Sequence, residues 1–185
     1  MTVYLIDGYN VLHELRRAEG RDRGDARMRP GELELERSRL IDRIASFMGG
    51  TTDRAIVVFD SHEASLQKVE SATVAVEVYY GSLRRSADAI IERVTYAVSA
   101  EENVVVVTSD YGLQKTIFLP NVTRRSSRQF VDDLQVHTKK VANLTDCIRM
   151  VHRVEERLDP DSLEALKTLR DRLSQEDNKG GSGRS

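Results

Sequence analysis

The sequence predicts an α/β protein with a central parallel sheet, doubly wound by helices. Three observations predict it. Strand-like and helix-like stretches alternate along the chain. The strongest strand candidates are apolar throughout instead of alternating, as in strands covered on both faces. Each of them runs into an aspartate: Val3-Tyr4-Leu5-Ile6 into Asp7, Ala55-Ile56-Val57-Val58-Phe59 into Asp60, and Val104-Val105-Val106-Val107-Thr108 into Ser109-Asp110. Alternation of this kind argues for right-handed βαβ units.

The elements follow in order. The first strand spans residues 3–6, and Gly8 suits a tight turn into a short helix. The stretch 16–30 holds six arginines against three acids, with two glycines and Pro30 behind it, and reads as a long basic surface loop. Residues 32–48 place Leu33, Leu40, Ile41, Ile44 and Phe47 at helical spacing and stop at Gly49-Gly50. The second strand is 55–59, and the valine-rich run 74–80 is the third. A helix over 87–99 sets Ile90, Ile91, Val94 and Val98 on one side. The fourth strand is 104–108, a short helix spans 111–118, and 121–123 is a weak fifth strand. Residues 127–141, with Phe130, Leu134 and Val141, and residues 144–158 read as two helices. A last helix, 160–173, has Asp159 as its cap and Pro160 at its first position. The apolar spacing of the C-terminal helices suits packing on the rest of one domain over 1–177, and the glycine-rich stretch 178–185 reads as a flexible tail.

Composition narrows the setting. With 185 residues, 31% charged and 39% hydrophobic, the chain has room for one sizeable core. No apolar run approaches the ~20 residues that cross a bilayer, so no membrane association is expected. No secretion signal is evident. Cys147 is the lone cysteine, which suits a reducing cytoplasm, and it reads as a buried small hydrophobe. Net charge is −2, so any affinity for a polyanion must come from local basic spots, among them Arg84, Arg85, Lys115, Arg124, Arg125 and Arg128.

The chemistry is concentrated in acids. In an open parallel sheet, ligands bind outside the carboxyl ends of the strands. Asp7, Asp60 and Asp110 all stand at such ends, and Asp88 opens the helix after the third strand, at the same edge. Singly, each aspartate reads as a helix cap or turn residue. Together they repel unless something offsets the charge. A hard divalent cation does so, and Mg²⁺ commonly bridges carboxylates to substrate phosphates. Asn10 either orients a water or phosphate there or caps the next helix. Glu92 lies four residues after Asp88 on the same helical face. The four histidines show no close ligand spacing, and neither Gly-x-Ser-x-Gly nor a phosphate-binding Gly-x-x-x-x-Gly-Lys loop is present.

Ile6-Asp7-Gly8-Tyr9-Asn10-Val11 resembles the opening motif of NYN domains, a branch of the PIN-like nucleases. The further order Val57-Val58-Phe59-Asp60, Ser86-Ala87-Asp88 through Glu92, Val107-Thr108-Ser109-Asp110 with Gln114, and Ser126 resembles the YacP-like subgroup over roughly residues 2–134. The resemblance implies a PIN-like three-layer α/β/α fold and Mg²⁺- or Mn²⁺-dependent cleavage of RNA. It implies mRNA and the ribosome as partners, the subgroup being known for ribosome-associated endoribonucleases. By position it implies Asp7, Asp88 and Asp110 as the central acids, Asn10 and Asp60 as their support, and Arg84, Arg85, Lys115 and Arg124 as RNA contacts. The sequence departs from the subgroup in Ser86, often threonine there, in having no tryptophan, and in the basic stretch 16–30. An RNA- or ribosome-binding module with little catalysis is the second reading, and a phosphatase or DNA nuclease the third. Few aromatics (5%) lead one to expect binding through backbone and shape instead of base stacking.

Overall fold

The computed structural model describes residues 1–21, 30–60, 69–81 and 86–155, together with Ser162, Glu164 and Thr168, which are helical. The elements are β1 (Thr2–Asp7), α1 (Gly8–Ala18), α2 (Pro30–Met48), β2 (Arg54–Phe59), β3 (Val69–Thr73), β4 (Val76–Tyr80), α3 (Ala87–Val98), β5 (Asn103–Val107), α4 (Tyr111–Thr116), β6 (Val122–Arg125) and α5 (Ser127–Glu155). The strands form one sheet in the order β3-β4-β2-β1-β5-β6. All neighbours run parallel except β3 and β4.

The continuous apolar runs are explained by two covered faces. Val3, Leu5, Ile56, Val58, Val104 and Val106 pack with Ala87, Ile90 and Ile91 of α3 and Leu113 of α4. The alternate residues, among them Ile6, Val57, Phe59 and Val107, pack with Leu12 and Leu15 of α1, Leu40 and Ile44 of α2, and Phe130 and Leu134 of α5. A strand with an apolar helix layer on each side has no solvent face to which polar residues are assigned, so the period-2 signal disappears. This is the three-layer α/β/α arrangement that the resemblance implies.

The structure corrects several expectations. The sheet is mixed: an antiparallel edge strand, β3, pairs with β4, and the expected run 74–80 begins as a turn, with Val74 fully exposed. Arg16 and Arg17 belong to the last turn of α1, not to a loop. The helices expected over 127–141 and 144–158 are one continuous helix, α5, because Ala142-Asn143 between them contains no residue that breaks a helix. Cys147 is exposed, not buried. Residues 22–29, His62, Arg84, Arg85 and the tail 178–185 lie outside the described residues, as does most of 160–173.

The chain divides into two compact units, Met1–Thr138 and Lys139–Ser185. The first holds the sheet and both packed layers. In the second, the described part of α5 exposes Val141, Leu144, Ile148 and Met150.

Topology places the functional edge. From β1 the chain moves outward to β2 and on to β4, then returns across β1 to β5 and β6. The direction of winding reverses between β1 and β5, and the crevice at such a switch point is where open α/β sheets bind ligands.

Candidate metal centre and nucleic-acid edge

Asp7 ends β1 and caps α1. Its Oδ1 accepts a hydrogen bond from the backbone N–H of Asn10 at 3.1 Å, and Asn10 Nδ2 donates to Oδ2. The helix-capping role and the site role therefore coincide: the cap fixes the carboxylate at the switch point. Asp7 is only 6% exposed. The tightness of this turn comes from Gly8, where a Cβ would stand 2.5 Å from two carbons of the Phe59 ring.

Across the switch point, β5 is followed by Thr108, which is fully buried. Its hydroxyl donates to Asp7 Oδ2 at 3.3 Å and accepts from the backbone N–H of Asp110 at 3.0 Å. One threonine thus ties two candidate ligands 103 positions apart in the chain into one geometry. Asp110 caps α4, its Oδ1 accepting from Gly112 N at 2.6 Å and Leu113 N at 3.1 Å. That leaves Oδ2 without a hydrogen-bond partner among the described residues. Gln114 Nε2 donates to the Thr108 carbonyl at 2.8 Å, bracing the same turn. Ser109 Oγ accepts from Ser127 N at 3.3 Å, which secures the start of α5.

Asp88 lies in the first turn of α3, whose cap is Ser86. Partial burial and then the charges of Asp7, Asp110 and Asp60 push its carboxyl above the usual range. All four expected carboxylates therefore share one electrostatic field, at the edge where the sequence puts them. Asp60 follows β2 and is half-buried. Asn10 is held to Asp7, so its amide orients that carboxylate.

The donor set is all carboxylate oxygen, the chemistry that a hard divalent cation uses. Among the described residues no three carboxylate, imidazole or thiolate groups converge closely enough to enclose an ion by themselves. An open site of one or two direct carboxylates, with water in the other positions, is the form Mg²⁺ commonly takes.

Behind Asp7 and Asp60 stands an aromatic wall that the sequence reading missed. Phe59 meets Tyr9 edge-on at 5.4 Å and stacks on Tyr80 at 5.9 Å between centroids. Arg37 of α2 lies 5.4–5.6 Å from the centroids of all three rings and donates to the Tyr9 hydroxyl. A signal was available: Arg37 falls at helical spacing with Leu33, Leu40, Ile41 and Ile44, on the apolar face of its helix. Thr108 was readable as a polar residue directly after a valine run, but its partners were not.

The expected RNA contacts divide. Lys115 lies over the Tyr111 ring at 4.3 Å, and Arg124 over the Phe118 ring at 4.4 Å. Both belong to the β5–β6 side of the edge. Arg125 pairs with Asp133. These two arginines border a cleft of about 480 Å³ that also takes in Gln129 and Asp132, beside the carboxylates and not among them. In the basic stretch, Arg21 is engaged by Glu19 and by Glu36, the latter at 2.7 Å, so its charge is spent within the protein.

Residues 4–171 match the family model of the YacP-like NYN domain. A Bacillus subtilis (strain 168) protein described as "Uncharacterized protein YacP" is 27% identical over 142 residues, covering 76% of this chain and 79% of that one. Among solved structures, that of Rae1 (YacP) from Bacillus subtilis is 25% identical, with a TM-score of 0.63, over 94% of this chain and 95% of that one. A single-residue variant of the same protein matches with a TM-score of 0.60.

Proposed function

The chain belongs to the YacP-like NYN domain family, a nuclease-like family, and on that premise we propose that it is a metal-dependent endoribonuclease hydrolysing RNA phosphodiester bonds. The observation that carries the reading is the common field of Asp7, Asp60, Asp88 and Asp110. Four acids at a ligand-binding edge are a standing cost to the fold unless a cation belongs there.

Asp7, Asp60, Asp88 and Asp110 would hold Mg²⁺ or Mn²⁺. When bound, such an ion supplies charge for an in-line displacement at phosphorus and makes water nucleophilic near neutral pH. The protein supplies the orientation. Thr108 and Asn10 hold Asp7, the α4 cap holds Asp110 with one oxygen left over, and Asp88 stands exposed in the first turn of α3. Lys115 and Arg124 attract the phosphate backbone. Arg84 and Arg85, shortly before Asp88 in sequence, belong to the same proposed contact set. The ribosome-associated context and mRNA substrate follow from the family resemblance. A cytoplasmic setting suits the exposed thiol of Cys147, which stays reduced there. No helix among the described residues is long and apolar enough to cross a membrane.

The test is cleavage of a translated and an untranslated copy of one mRNA, with Mg²⁺, Mn²⁺ or EDTA, by wild-type and Asp88→Asn protein. Metal-dependent cuts confined to the translated copy and lost by more than about a hundredfold in the variant are expected. The variant should fold at least as well as wild type without metal, because it removes one of four repelling charges. Cuts in both copies would detach the ribosome from the reading. RNA binding without any cut would leave a binding module.

A further inference from the structure

Two large aromatic side chains stand in the open at the two ends of the segment 111–118, which starts at the carboxylate edge directly after Asp110. Tyr111, directly after Asp110, is 69% exposed, and Phe118 is 69% exposed. Between them Leu113 and Ile117 are buried at 4% and 2%, so this short segment anchors itself through its aliphatic residues and leaves both rings outside. Burial of an aromatic ring is ordinarily favourable, and leaving two of the chain's ten Tyr and Phe residues in water on one eight-residue segment forgoes it.

Each ring carries a cation: Lys115 Nζ lies 4.3 Å from the Tyr111 centroid, and the Arg124 guanidinium 4.4 Å from that of Phe118. Arg124 Nη1 also donates to the Gln114 carbonyl at 2.7 Å. Gln114 in turn holds Thr108, and Thr108 holds Asp7. Arg124, the cation over Phe118, is therefore joined to the Asp7 carboxylate by one hydrogen-bonded path. A largely exposed ring with a positive charge over one face matches one ligand chemistry well: an unstacked base, laid on the other face, attached to a phosphate. A protein partner would need apolar surface around the rings, whereas here they are bordered by Lys115, Arg124 and Gln114.

We propose that Tyr111 and Phe118, with Lys115 and Arg124, form a stacking platform for single-stranded RNA that leads the strand to the carboxylate edge. The inference rests on the reading of that edge as an RNA-cleaving site and deepens it. It also revises the expectation that so few aromatics leave binding to backbone and shape: their placement matters more than their number. A stacking platform selects unpaired RNA, because bases inside a duplex have no free face.

The experiment measures binding of a short fluorescein-labelled RNA, single-stranded or annealed to its complement, by anisotropy across a salt series. The full-length Asp88→Asn protein with Mg²⁺ serves as parent, so that cleavage does not interfere. Tyr111→Leu and Phe118→Leu are each expected to weaken single-strand binding about tenfold with an unchanged salt slope. Tyr111→Phe is expected to bind like the parent, and Lys115→Gln to lower the salt slope by about one. If the leucine variants bind like the parent while Lys115→Gln weakens binding, attraction is purely electrostatic and the platform is overturned, with the nuclease reading intact. Equal affinity for duplex and single strand overturns it as well. If the parent binds through the rings but wild-type protein cuts nothing, the platform stands and the nuclease reading falls. If the parent binds no RNA, the platform falls, and the cleavage of translated mRNA decides the nuclease reading by itself.

Discussion

Gly8 and Thr108 set the site at the scale of single residues. Gly8 is where α1 and the Phe59 ring come too close for a side chain. Gly8→Ala should cost about 1–3 kcal/mol through overpacking, read as a lower urea midpoint. Combining it with Phe59→Leu should recover part of the loss; an unrelieved loss would assign the effect to something other than this contact. Thr108 both donates to Asp7 and serves the Asp110 N–H from a fully buried position. Thr108→Val should therefore destabilise by about 1–3 kcal/mol and lower kcat more than it raises KM, with Thr108→Ser restoring most of both. Of the site's residues, the four aspartates were legible jointly, because they fall at one sheet edge, although each singly reads as a cap or turn residue. Thr108's role was not legible, because its partner lies on another strand.

Elements are fixed to one another by charge as well as by apolar contact. Glu19 follows α1 and pairs with Arg21 and, at 2.6 Å, with Arg43 of α2; Glu36 of α2, 5% exposed, takes Arg21 and Arg39. Burial pushes the Glu19 carboxyl up, but Arg21 and Arg43 outweigh it and hold it below its ordinary value. An acid lowered by folding stabilises the protein above its unfolded value, and that contribution is lost as pH falls through the folded one. Glu19→Gln should therefore cost stability at neutral pH, with the difference from wild type shrinking below about pH 4. Urea midpoints of the two proteins across pH 3–7 measure it; a difference independent of pH would mean that packing, not charge, explains the cost. The sequence marks this region as basic but does not say where the charge goes, since Arg21 and Glu36 are fifteen positions apart and both fit a solvated surface equally well.

Phe130 represents the molecular scale best. It is fully buried on the helix α5 and meets Tyr4 of β1 at 6.2 Å and Phe47 of α2 at 5.7 Å. It thus joins the central strand, the second helix and the fifth. Phe130→Ala should cost about 3–5 kcal/mol, the largest loss among the substitutions considered, and lower Tm by roughly 2–4 °C per kcal/mol. A loss under about 1 kcal/mol would mean that α5 contributes little to the core. The same sheet that these contacts complete also separates the two helix layers and leaves the carboxyl ends of β1 and β5 open at the switch point.

The strands of the parallel sheet, the helix classes and the four aspartates at one edge were all determined by the sequence alone, because each rests on local periodicity or on a residue's position relative to its own strand. Strand order, the antiparallel edge β3 and the couplings Thr108–Asp7, Arg37–Tyr9 and Arg124–Gln114 were decided only by the tertiary structure. The reason is physical. Pairing across strands and exposure of a given ring depend on which surfaces the rest of the chain covers, and one-dimensional spacing carries no record of that. Tyr111 and Phe118 illustrate it: in sequence they are two aromatics near a helix, like those of the core, and only the burial of Leu113 and Ile117 turns them outward.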